Sequence, residues 1–379
     1  MTAVFFAFAI GLGLWAGATP TLMQQAGVGA SALGLALTLH TGAYVGAMTT
    51  GGWLVRFIAP RRLILVTLPL HATAFACLFG AGTPWALTAA LTAAGATAGL
   101  LDIAMNTEAT AVERELARPV LTRMHAAGSA AFALGAIVGS LLASRAGPMW
   151  CALLIAAVVL PVMWAVARLG PRHPAPMPAH GNAGAARFGP TVLMLGAVLG
   201  LSIAAETTAA MWSSKFLAGQ AVELAAYAGA GAAFFAGCQA VIRWFGDPLR
   251  RRFDDRRIII GSLALAAGGF AVVAWSEDFG SSLLGFALVG LGTGCVVPCC
   301  FALVARSAPH RAAAALALTS LLAGAVRLPT PLYLGMMATA YSDATAFAGI
   351  SAALVGGLLL YGACTTRSAD EHRGAPPRA

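Results

Sequence analysis

Gly51-Gly-Trp-Leu-Val-Arg-Phe-Ile-Ala-Pro-Arg-Arg62 returns 195 residues later as Gly246-Asp-Pro-Leu-Arg-Arg-Arg-Phe-Asp-Asp-Arg-Arg257. Identities fall at Gly51/Gly246, Leu54/Leu249, Arg61/Arg256 and Arg62/Arg257, and an aliphatic triplet follows each copy. Each copy is a short basic loop set into long apolar sequence. A loop that recurs at one place in each half of a chain is the mark of a structure built from two repeats.

The sequence around these loops is too apolar for a soluble fold. Of 379 residues, 59% are hydrophobic and 10% are charged, against about 25% charged in an ordinary soluble domain. Lipid resolves the imbalance, because side chains facing it stay apolar. Apolar runs between turn signals predict spans near 3–23, 29–53, 62–81, 85–108, 124–144, 148–168, 190–212, 222–245, 258–275, 281–304, 312–337 and 343–364. Backbone groups in oil find partners only within their own segment or a closed barrel, so these runs are expected to be helices. The fold expected is an all-α membrane protein of twelve transmembrane helices in two pseudo-symmetric six-helix bundles. Residues 1–168 form the first bundle, 169–189 a cytoplasmic linker rich in Pro, His, Gly and Ala, 190–364 the second bundle, and 365–379 a cytoplasmic tail. The first apolar stretch reads as a full span and not as a cleaved signal.

The formal charge of +9 is distributed in a way that explains it. Twenty of the 23 Lys and Arg residues fall in the loops after the even-numbered spans and in the C-terminal tail, while the opposite side carries only Arg145 and Lys215 and one span holds Arg327. This is the positive-inside pattern; it places both termini in the cytoplasm and makes a lipid bilayer the partner, not nucleic acid. The seven Cys lie in or beside apolar stretches without paired loop spacing. They read as packing residues and not as a disulfide framework or a metal site. No phosphate-binding Gly-x4-Gly-Lys loop and no catalytic constellation is present, so neither an ATP-driven pump nor an enzyme is expected, and no cofactor beyond a coupling proton.

The two basic loops resemble the Gly-Asp-Arg loop motif of the major facilitator superfamily, although Arg56 and Arg251 stand where that motif usually has Asp. The run Gly99-Leu-Leu-Asp-Ile-Ala-Met-Asn106, with Glu206 in span 7 and Pro298 in span 10, is similar to the fucose-permease-like branch of bacterial transporters. Unlike the sugar symporters of that branch, span 1 holds no acid. The resemblance implies a monomeric secondary transporter of the bacterial inner membrane. It would move a small polar solute by alternating access, by proton-coupled uptake or by proton-driven export of a specific metabolite. A solute sensor on the same scaffold is the alternative of another class.

Ionisable groups at membrane depth are costly and tend to face a hydrated path. Asp102 and Asn106 are four residues apart and share one helix face. Either Asp102 carries the coupling proton, or the pair is a structural hydrogen bond. Gly95 and Gly99 on the same helix allow a neighbouring backbone close approach. Glu206 and Arg327 sit at similar depths along spans 7 and 11. They either pair, or Glu206 titrates while Arg327 meets an anionic group of the solute. His40, Tyr44 and Trp15 complete the expected solute-binding set. Arg61, Arg62, Asp247, Arg251 and His125 are expected at a cytoplasmic gate. The basic loop residues either meet anionic headgroups, cap helix C-termini, or pair with acids such as Glu113, Glu115, Asp254 and Asp255 across the halves, in contacts that hold this side shut in one state and break in the other. His71 is expected to be structural. Pro329 and Pro331 should break span 11, and Gly290, Gly292 and Gly294 with Pro298 should weaken span 10.

Overall fold

A backbone in oil must bond to itself, and the computed structural model of the chain is accordingly helical throughout its described residues, 1–117, 120–170 and 188–373. The first half comprises α1 (Thr2–Ala26), α2 (Ala30–Leu54), α3 (Pro60–Phe79), α4 (Pro84–Leu116), α5 (Leu121–Arg145) and α6 (Met149–Arg168). After residues 171–187, which include most of the expected linker and lie outside the described residues, come α7 (Pro190–Gln220), a 3-10 segment (Val222–Tyr227), α8 (Ala230–Trp244) and the short α9 (Gly246–Arg252). The chain continues with α10 (Asp255–Trp275), α11 (Phe279–Thr293), α12 (Val296–Ser307), α13 (Ala312–Arg327), α14 (Thr330–Ala340) and α15 (Asp343–Arg373). Ten segments among the described residues are long and apolar enough to cross a membrane, with α11–α12 and α13–α14 each counting as one.

Three expected spans change shape. Span 8 is not a single helix over 222–245: its first residues form the 3-10 segment, and only the 15 residues of α8 follow. The N–H of Gly229, which opens α8, is bonded to Ser140 Oγ at 3.1 Å instead of to an earlier carbonyl of its own segment. Span 10 divides at Gly294 and Cys295, because Pro298 has no N–H for the Gly294 carbonyl. Span 11 divides at Leu328 and Pro329, directly after Arg327. The last helix also runs past residue 364 to Arg373, so the expected tail begins inside α15; residues 374–379 lie outside the described residues.

In the first half α1 packs along α5, and α2 and α3 pack on α4; in the second, α7 packs on α13, and α10 and α8 on α11. The two halves meet mainly through α2 against α14 and α5 against α8. These contacts lie toward the arginine-poor end of the helices. There Ser31 Oγ donates to Thr339 Oγ1 at 2.7 Å and the Arg145 guanidinium to Tyr227 Oη at 3.2 Å.

At the arginine-rich end the ion pairs of Glu108 with Arg61 and of Asp255 with Arg250 and Arg306 each lie within one half. Arg61 Nε meets Glu108 Oε1 at 2.6 Å, with the glutamate side chain 1% exposed and the arginine 11%. The same guanidinium donates to the carbonyls of Leu169 and Gly170 at the end of α6, where a cation complements the helix dipole. In the second half Asp255 binds both Arg250 and Arg306. Glu113 accepts the N–H groups of Val120 and Leu121, both at 2.8 Å. In this conformation the expected pairing of loop arginines to Glu113 and Asp255 across the halves is not formed, while the contact of Arg61 with the end of α6 is the expected capping of a helix C-terminus. Each acid has close donors in its own half, because the open end separates the halves there. Arg62, Asp247 and Arg251 are exposed.

Breaking a buried ion pair by removing one partner costs about 3–5 kcal/mol, since the charge that remains loses its close counter-ion away from water. Arg61→Ala should therefore lower the melting temperature in detergent markedly. Arg61→Met combined with Glu108→Leu should recover most of the loss. Thermal denaturation of the two variants checks this, and equal losses in both would contradict it.

Candidate functional site

The site begins with two glycines. A Cβ on Gly95 would overlap the His40 carbonyl, and one on Gly99 the Tyr44 carbonyl. The backbones of α2 and α4 therefore touch, as the small-residue spacing predicted. This contact brings His40 and Tyr44 beside Asp102 and Asn106. Tyr44 Oη donates to Asp102 Oδ2 at 2.7 Å, and Asn106 Nδ2 donates to Asp102 Oδ1 at 2.9 Å. Asn106 Oδ1 in turn lies 3.1 Å from His125 Nε2. An amide oxygen only accepts, so the imidazole proton sits on Nε2. The chain Tyr44–Asp102–Asn106–His125 thus links α2, α4 and α5.

Tyr44, Asp102 and His125 line a cavity of about 340 Å³ to which both halves contribute. Its wall runs from Phe5, His125 and Arg243 near the arginine-rich end to Trp15, Leu37 and Met211 deeper in the molecule. The Trp15 ring stands 5.0 Å from that of His40, whose Nδ1 lies 2.9 Å from the Leu91 carbonyl oxygen. From the second half come Glu206 and Thr207 on α7, Gln239 and Arg243 on α8, and Arg327 at the end of α13. Four of the expected solute and coupling residues from the first half, Trp15, His40, Tyr44 and Asp102, and two from the second, Glu206 and Arg327, thus share one space, while Asn106 stands behind Asp102.

The two intramembrane charges of the second half do not pair with each other, which removes the first of the two sequence alternatives. Glu206 Oε2 faces Arg243 at 3.5 Å, and its Oε1 has no hydrogen-bond partner in the protein. Arg327 lies over the Tyr44 ring at 5.2 Å, and its Nε is buried without a partner. No carboxylate lies within ion-pair distance of it among the described residues. The sequence reading counted Arg243 with the basic loops, and so missed it here. Its spacing of four from Gln239 is the signal that both share the inner face of α8. Gln239 Nε2 donates to Thr293 Oγ1 at 3.2 Å, and Arg243 reaches across to Ser129 Oγ on α5 at 3.5 Å.

The other sequence candidates lie elsewhere. His71 is buried against Phe8 and Phe75, with Nδ1 3.0 Å from Thr97 Oγ1. Of the expected gate, only His125 reaches the cavity; Arg61, Arg62, Asp247 and Arg251 stand at the arginine-rich end outside it. Among the described residues no group of three His, Cys, Asp or Glu is placed to hold a metal ion.

Apolar spans that wrap a cavity set with carboxylates and guanidiniums define a class: a multi-pass membrane protein with a polar site inside it. The chain belongs to the Major Facilitator Superfamily, whose family model matches residues 1–331. An uncharacterised MFS-type transporter of Yersinia pestis is 25% identical over 363 residues, covering 93% of this chain and 91% of that protein. An uncharacterised transporter of Sinorhizobium fredii is 27% identical over 353 residues, with 91% and 92% covered. Among solved structures, a nucleoside transporter, NupG, superposes with a TM-score of 0.74 at 14% identity, covering 96% of this chain and 97% of that one. The POT family transporter PepTSo gives 0.72 at 14%, with 97% of each chain covered. At such identities the likeness is one of fold.

Proposed function

We propose that this protein is a proton-coupled secondary transporter of a small polar solute. It works by alternating access between two six-helix bundles, twelve spans in all, in a bacterial inner membrane. The observation that carries the reading is the shared cavity, in which carboxylates from both halves, Asp102 and Glu206, face one space. Counting α2 and the 3-10 segment with α8 as spans brings the ten long apolar segments to twelve. The arginine-rich end is then cytoplasmic by the positive-inside rule. The conformation is one in which the halves are closed at the outer end by α2–α14 and α5–α8, and the cavity faces the inner end.

The two acids have different parts in this scheme. Asp102 is held by neutral donors, so a proton can join it without breaking an ion pair. Neutralising an isolated carboxylate removes the cost of keeping a charge from water. His125 and Asn106 connect it toward the inner end. Glu206 already faces Arg243, and protonation there would release that guanidinium. The span 4 run and Pro298 support a place near the fucose-permease-like branch, while a cavity without an acid from α1 argues for a solute other than its sugars.

Solute-driven proton movement tests the reading. Purified protein in proteoliposomes, screened against a metabolite panel with an entrapped pH dye, should show solute-dependent pH change for at least one compound. The sign of the change gives uptake or export. Solute exchange that leaves the lumenal pH unmoved at every pH tried would remove proton coupling. Binding without any exchange would favour a sensor.

A further inference from the structure

The proposal here deepens the transport reading and rests on it for the location of the solute. We infer that the solute is amphoteric: a small organic molecule with a carboxylate, or like anionic group, that docks on Arg327 and a hydrogen-bond-donating group, such as an ammonium, that docks on Glu206. Two orphaned atoms carry this. Arg327 is a guanidinium at membrane depth whose Nε is buried and unbonded, and Glu206 Oε1 is an acceptor in the same state. Both belong to one cavity. They are complementary in charge, yet they do not meet: the nearest cation to Glu206 is Arg243, on its other oxygen at 3.5 Å.

A buried polar atom without a partner costs about 1–3 kcal/mol, more when it is charged. Such a cost persists where function supplies the missing partner. The neighbours of Arg327 also leave it free. Tyr44 offers it a ring face, at 5.2 Å, because the Tyr44 hydroxyl is given to Asp102. A planar guanidinium with open N–H groups binds a carboxylate in a two-pronged fashion, which a neutral hydroxyl cannot match. Glu206 Oε1 then needs a donor on the same molecule. Trp15 and Phe132 supply an apolar wall for the body of the solute. About 340 Å³ lies at the lower end of the range for small-molecule sites, so the molecule is closer in size to an amino acid than to a long peptide or a lipid.

The test is binding, read separately from transport. Thermal stabilisation of the purified protein is measured against a panel of amino acids and hydroxy acids. The same compounds are supplied as carboxamides and as analogues lacking the amine or hydroxyl, with neutral sugars, L-fucose included, alongside. The expected result is stabilisation by one or more carboxylate-bearing amphoteric compounds, lost by at least tenfold in affinity in the matching carboxamide. In Arg327→Gln the same compound should lose at least tenfold, while its carboxamide binds variant and wild type alike. Arg327→Lys should recover part of the affinity, and Glu206→Gln should narrow the preference for the donor-bearing member of each pair. Stabilisation by neutral sugars alone, by no carboxylate at all, or unchanged in Arg327→Gln, would overturn the inference. A neutral solute moving with protons would sink this inference and leave the transport reading intact. An amphoteric ligand that binds but never crosses would do the reverse.

Discussion

Asp102→Asn is expected to abolish concentrative transport while leaving exchange of solute across the membrane running. Asparagine matches the protonated acid in shape and keeps both neighbours. The Tyr44 hydroxyl and the Asn106 amide, which lie 2.7 and 2.9 Å from the two carboxylate oxygens, still find hydrogen-bond partners, because a tyrosine hydroxyl both donates and accepts. Only the proton-binding step disappears. A gradient of one pH unit stores about 1.4 kcal/mol per proton, so one coupled proton sustains roughly tenfold accumulation per unit. The variant should fall to a ratio of about one whatever the gradient, with counterflow retained. Accumulation and counterflow measured in the same proteoliposomes check this. If the variant concentrates solute as the wild type does, Asp102 has no part in coupling.

Gly229→Val is expected to keep the outer end from closing. The carbonyl of Ala136 on α5 is approached from two sides: a Cβ on Gly17 of α1 and one on Gly229 at the start of α8 would each overlap it. Ala16, Ala136, Ala232 and Ala233 fill the space around the junction. The first contact lies within one half, the second between halves. Overpacking of this kind costs about 1–3 kcal/mol. Applied to a contact made in only one of two states, that energy shifts their ratio about 5- to 150-fold. Gly229→Val should therefore fold, populate the outward-facing state and slow translocation by a comparable factor. A thiol introduced by Thr339→Cys should react faster with an impermeant reagent in that background. Gly17→Val should instead lower the melting temperature, because its clash is present in every state. Unchanged thiol reactivity in Gly229→Val would show that this contact does not govern closure.

The membrane class, the helices and the break in α13–α14 follow from local features: apolar length, loop arginines, and Pro329 and Pro331 beside Arg327. Asp102 and Asn106 were legible as a pair because four residues in a helix place two side chains on one face, and nothing tertiary is needed to say so. Gly95 and Gly99 likewise announced a close neighbour, though not that it would be α2. The partner of Glu206 was not legible. Depth along two helices pointed to Arg327, and the charge count assigned Arg243, at the end of span 8, to the loops. The rotation of α8 about its axis, set by Gly229 against α5 and by Gln239 against Thr293, turns Arg243 inward. The pairing of Arg61 with Glu108 was hidden for the same reason, since α3 and α4 are neighbours only once folded.

What this sequence determined alone is whatever depends on spacing along one helix or on the transfer of side chains from water to oil: the membrane location, the helical spans, the two basic repeats and the shared face of Asp102 and Asn106. What only the tertiary structure decided is which charges meet. That choice is made by angstrom-scale distances between helices far apart in the chain, and electrostatic energy depends on those distances. It left Glu206 facing Arg243 and Arg327 open to the cavity.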